Sequence, residues 1–122
     1  MSCNTLTLII CGDVINVGFR RHVWRYAKLM NLRGLVVNVD EASCVSIYVE
    51  GSEESLKIFS EKIMSLTKSF NISNVDMILS KDSCKSFEDF EIYNYLKDLA
   101  SSDKGFRLSK ELEKILKTKC LI

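Results

Sequence analysis

A chain of 122 residues, 47% of them hydrophobic, suits one domain that can bury a core without staples. Its formal net charge of +1 comes from interspersed acids and bases, which does not mark a nucleic-acid or membrane protein, and no apolar run approaches the length that spans a bilayer. Cys3, Cys11, Cys44, Cys84 and Cys120 are scattered, with no Cys-x-x-Cys pair and a single histidine, which excludes the usual zinc spacings and reads as reduced thiols serving as small fillers.

Leu6 to Cys11 is a continuous apolar run closed by Gly12, the pattern of a strand buried on both faces. It is short and no basic residue precedes it, so no secretory signal is expected and the chain reads as cytoplasmic. Phe19, Val23, Ala27 and Met30 recur at helical spacing, with Arg20, Arg21, Arg25 and Lys28 between them, and Asn31 suits the end of that amphipathic helix. Arg33 to Asp40 and Val45 to Glu50 are rich in valine and isoleucine and flank Glu41-Ala42-Ser43, so they read as a hairpin.

Ser52, followed by Glu53 and Glu54, starts a second helix whose buried face is Leu56, Phe59, Ile63 and Leu66, ending near Ser69. Val75 to Leu79 and Phe87 to Tyr93 are the fourth and fifth strands. This order predicts an α+β, ferredoxin-like βαββαβ sandwich, an antiparallel sheet with both helices on one face and a fifth strand added. Residues 1–93 form that domain and 94–122 a C-terminal helical extension, with Asp103-Lys104-Gly105 as a turn, Ser109 as a cap and a stripe of Leu108, Leu112, Ile115 and Leu116. Seven basic residues against four acidic ones give the extension a charge of +3. It either packs on the domain or offers a surface to a protein partner or a second copy.

The stretch that organises the chain runs from Gly12 to Arg20, Gly-Asp-Val-Ile-Asn-Val-Gly-Phe-Arg, between the first strand and the first helix. A loop feeding a helix N-terminus leaves several N–H groups without intrahelical partners, and the helix dipole adds partial positive charge, so anions bind there. Arg20 adds a planar fork suited to two phosphate oxygens. The pattern resembles the acylphosphatase signature Gly-x-Val-Gln-Gly-Val-x-Phe-Arg, with Ile15 and Asn16 as the departures. Gly34-Leu35-Val36-Val37-Asn38 is similar to that family's second motif, with Leu35 where an aromatic is usual.

The resemblance covers roughly Thr5 to Tyr93 and implies hydrolysis of an acyl phosphate to a carboxylate and inorganic phosphate. It places the phosphoryl group on the loop Ile15, Asn16, Val17, Gly18, Phe19 and Arg20, gives Arg20 and Asn38 the catalytic roles, and has Asn38 orient the attacking water. It calls for no metal, no cofactor and no covalent intermediate, and for a small acyl phosphate or phosphate as ligand, without nucleic acid or membrane. Asn16 stands where the family has a glycine expected to be left-handed, and asparagine is among the least penalised substitutes there. His22, Trp24 and Tyr26 read as surface and packing residues. The rival to a hydrolase is an anion-binding regulatory module of the same fold, weakened by Ile15, Asn16 and the altered hairpin. A nucleic-acid platform would need exposed aromatics on the central strands, which offer only Tyr48.

Overall fold

The computed structural model describes residues 3–81 and 83–122. The apolar runs become one five-stranded sheet, β1 Asn4–Gly12, β2 Arg33–Val39, β3 Cys44–Gly51, β4 Ile72–Ser80 and β5 Phe90–Tyr93, in the order β4-β1-β3-β2-β5. Helices α1 Phe19–Leu29 and α2 Glu53–Thr67 separate the strands, and α3 Asp103–Thr118 follows a 3-10 turn at Leu96–Ser101. Among the described residues no helix is long and apolar enough to cross a membrane.

The ferredoxin-like order holds, with β1 and β3 central and antiparallel, but the sheet is mixed because β5 runs parallel to β2. The reason is positional. Thr5, Glu50, Arg33 and Ser80 share one end of the sheet through the pairing register, so β4 finishes where β2 begins. The chain then crosses that end and enters β5 in the direction of β2 (Gly34 opposite Phe90, Val37 opposite Tyr93). Glu50 clamps the crossing: its buried carboxylate accepts the backbone N–H groups of Lys85, Ser86 and Phe87 at 2.6 to 3.0 Å and the Tyr48 hydroxyl at 2.8 Å.

Strand alternation divides the core in two. Leu6, Leu8 and Ile10 face α1 and α2 together with Phe19, Val23, Phe59 and Ile63, and Leu35, Val37 and Tyr48 lie on the other face under Leu108 and Leu112 of α3. Ile9 and Val39 pack with Leu116. At roughly 1.5–3 kcal/mol for each fully buried leucine, these three residues suffice to seat α3 on the sheet. The apolar stripe of the extension is therefore spent within the chain, and Tyr48 is covered rather than displayed.

Two expectations about the extension change. Ser102, not Ser109, caps α3, its Oγ accepting the Gly105 N–H at 3.2 Å, while the Ser109 hydroxyl donates to the Phe106 carbonyl inside the helix. Gly105 lies in the first helical turn, where a Cβ would stand 1.8 Å from the Leu99 carbonyl oxygen, so this glycine marks a close approach rather than a turn. Similarly, the reading of reduced thiols is corrected: Cys3 pairs with Cys84 and Cys11 with Cys44. Cys11 and Cys44 are 33 residues apart in sequence yet directly opposed in the β1–β3 register, a proximity that spacing alone cannot reveal.

Candidate active site

The loop after β1 and the ends of β2 and β5 meet at one end of the sheet. The loop is anchored before it turns: the Asp13 N–H donates to the Asn71 carbonyl at 2.9 Å, and the Asn71 side-chain amide returns to the Asp13 carboxylate at 3.1 Å. Val14 is buried, and Ile15 turns its side chain against the main core. Asn16 then adopts φ +59°, the left-handed conformation expected for it. Val17 points half-exposed to solvent, Gly18 continues the turn at φ +86°, and Phe19 is buried edge-on against Phe70, with ring centroids 5.1 Å apart.

Gly18 caps α1 and brings no side chain to do it. The helical ladder opens with the His22 N–H donating to the Gly18 carbonyl at 3.3 Å, so the N–H groups just before it have no intrahelical acceptor. Free N–H groups beside the positive end of a helix dipole make the kind of cradle that favours an anion. Arg20 lies beside it, its Nη1 donating to the Tyr93 carbonyl at 2.5 Å and to Asn94 Oδ1 at 3.0 Å. Both bonds use one nitrogen, which leaves the rest of the fork for a ligand. Asn16, Gly18 and Arg20 line a cleft of about 360 Å³ that Arg21, His22, Arg25 and Ile92 complete.

Asn38 is 4% exposed near the end of β2, on the same sheet face as Val36 and hence toward α1, and its Oδ1 has no hydrogen-bond partner among the described residues. Such a group costs on the order of 1–3 kcal/mol, so its retention points to a use outside packing. Ser46 Oγ is likewise without a partner, but it belongs to the opposite face of the sheet. Asn38 does not line the Arg20 cleft. The residue borders a second one, of about 440 Å³, while its Oδ1 stays buried on the face toward α1. The two clefts share no lining residue, although Val37 pairs with Tyr93 and the residue that follows, Asn94, holds Arg20.

Several contributors were not singled out in the sequence. Arg21 and Arg25, four residues apart, share the helix face that borders the cradle, a spacing visible in the sequence but also typical of a solvated face. Asn94 and the Tyr93 carbonyl come from beyond the first motif and carry no sequence signal. The Tyr93 hydroxyl is pushed up to about 12 by burial and by its bond to Glu91, so it stays neutral. His22 is exposed at the cleft edge, near Phe70, while Trp24 donates to the Phe90 carbonyl at 3.2 Å and Tyr26 packs against the core.

The acylphosphatase family model matches residues 6–92, which takes in both motifs and stops just short of the extension. The chain belongs to the acylphosphatase family. It is similar to an acylphosphatase of Thermotoga petrophila, 32% identical over 90 residues that cover 74% of this chain and 97% of the relative. The crystal structure of an acylphosphatase from Bacillus subtilis superposes with a TM-score of 0.64 at 29% identity, covering 73% of this chain and 97% of that one. A bacterial light-regulated adenylyl cyclase shares only the fold, at 10% identity and a TM-score of 0.61, covering 99% of this chain and 35% of that one. Membership of the family supports acyl phosphate hydrolysis in general.

Proposed function

We propose that this chain hydrolyses a carboxylic-phosphoric anhydride with the phosphoryl group in the 15–20 loop, Arg20 paired to its oxygens and water directed by Asn38. The observation that carries the reading is the buried, unpartnered Asn38 Oδ1 at the same sheet end as an uncapped helix N-terminus and a half-free guanidinium. Fixed N–H donors and the fork meet the charge of the transition state without rearranging, and a single such donor is worth about 10²–10³ in rate. The Asn38 oxygen accepts a hydrogen bond from water and so aims the water's lone pair at phosphorus, which sets direction with no change of charge on the asparagine. The step therefore needs no base of altered pKa.

Here Ile15 contributes its N–H to the cradle while its side chain anchors the loop in the core, which replaces the polar contact expected from the family's glutamine. A second reading keeps the anion cradle but not turnover, and the observation favouring it is that Asn38 and Arg20 border two clefts rather than one. Hydrolysis of benzoyl phosphate in the presence of a chelator separates the two. Turnover well above the buffer rate supports the hydrolase, and a folded protein that binds phosphate but leaves the anhydride intact supports the binding module.

A further inference from the structure

The cleft beside the cradle carries more positive charge than a phosphoryl group needs. Arg20, Arg21 and Arg25 all line it, and no aspartate or glutamate does. The formal charge of the whole chain is only +1, so positive charge is gathered at this one place. Among the described residues neither Arg21 nor Arg25 is paired with a carboxylate, whereas Lys28, on the next turn of α1, meets Asp89 at 2.7 Å. Unpaired basic residues on a helix are ordinarily a solvated face. These two differ in sharing their cleft with Asn16, Gly18 and Arg20, which belong to the cradle itself. Ile92, half-exposed on β5, gives the same cleft an apolar side.

We propose that Arg21 and Arg25 are specificity-determining residues, and that they select an acyl phosphate whose acyl group ends in a carboxylate. The inference rests on the hydrolase reading above and extends the same site. In-line displacement has the acyl oxygen leave opposite the attacking water, hence away from Asn38 and into the cleft that Asn38 does not line. An α-helix rises about 1.5 Å per residue, which sets the Arg25 Cα roughly 7.5 Å farther along α1 than that of Arg20. Phosphoryl group and carboxylate are thus held at separate points, with the chain between them lying against Ile92. Arg21 and Arg25, four residues apart, share one side of the helix and bring two planar forks to the carboxylate. The cleft of about 360 Å³ is near the small end of the range for ligand sites of about 300–1,000 Å³. It already takes the phosphoryl group, so the second anion it fits is the compact one. An uncharged acyl group gains nothing from the two arginines, and the preference therefore shows in KM more than in kcat.

The test compares benzoyl phosphate with 4-carboxybenzoyl phosphate on the full chain, each kcat/KM divided by the spontaneous rate of that substrate in the same buffer. The two differ only in a carboxylate placed too far from the anhydride to attack it. For the wild type the carboxylated substrate should be better by roughly fivefold or more, a gain that shrinks as salt is added. In an Arg21→Gln, Arg25→Gln variant this preference should vanish, and in Arg21→Lys, Arg25→Lys part of it should return. Arginines that served only the fold would lower both substrates alike and leave the preference in place. That result, or wild-type values within twofold of one another, would overturn the inference while leaving the hydrolase intact. Turnover of neither substrate by the folded wild type would remove the hydrolase reading and this inference with it.

Discussion

At the scale of single residues, the site depends on where two asparagines and an arginine are held. Asn16 was legible in the sequence, because few side chains other than asparagine tolerate a left-handed position cheaply and the motif required one there. The place of Asn38 was legible only in part. Its spacing from Gly34 put it near the end of a strand, but nothing in the sequence showed that Asn94, just past the β5 residue that pairs with Val37, would hold Arg20. Asn94 therefore belongs to the account as a positioning residue, since it fixes one arm of the fork from a distance of 3.0 Å. Asn94→Ala should weaken phosphate binding and raise KM by roughly fivefold, the effect of about 1 kcal/mol expected for a partly exposed charge-assisted bond. Titration with inorganic phosphate alongside steady-state kinetics checks this, and unchanged affinity would mean that Arg20 is placed by the Tyr93 carbonyl alone.

Elements were read more securely than their pairings. Helical and alternating periodicities placed α1, α2 and the strands because burial on one or both faces repeats at 3.6 or 2 residues. The direction of β5 and the cap of α3 had no such signal: both depend on contacts formed only after folding, namely the Glu50 clamp and the close approach of Gly105 to Leu99. Replacing Glu50 by alanine should strand three backbone donors and cost about 3 kcal/mol or more. Chemical denaturation measures the loss, and a cost under about 1 kcal/mol would show that the crossing segment supports itself.

The same cluster sets an alkaline limit on stability. Burial first, and then the Glu50 carboxylate, raise the Tyr48 hydroxyl above its ordinary value, so the folded state keeps a proton that the unfolded chain releases. A raised pKa contributes stability that is complete below the unfolded value of about 10 and disappears as pH climbs through the folded one. Wild-type stability should therefore decline above pH 10 more steeply than that of Tyr48→Phe in parallel unfolding curves. Equal slopes would contradict the assignment.

For the molecule as a whole, the two disulfides sit at opposite ends of the sheet. Cys3–Cys84 secures the end that the chain crosses to reach β5, and Cys11–Cys44 the end where the cradle and the Asn38 strand finish. They were illegible because a one-dimensional spacing of 33 or 81 residues says nothing about register. Loops of that length predict stabilisation of about 3.5–4.5 kcal/mol for each bond. Reductant should thus lower the midpoint of thermal unfolding by roughly 20–30 °C. An unchanged midpoint would show that the thiols are unpaired in solution.

The most direct test of the central assignment is to follow phosphate binding and benzoyl phosphate turnover together in the wild type, Arg20→Ala and Asn38→Ala. Arg20→Ala should lose both. Asn38→Ala should bind phosphate with near wild-type affinity while kcat falls by about 10²-fold or more, as befits a group that acts on water rather than on phosphate. Equal loss of phosphate affinity in the two variants, or an Asn38→Ala enzyme that turns over like the wild type, would contradict the division of roles between the cradle and the buried asparagine.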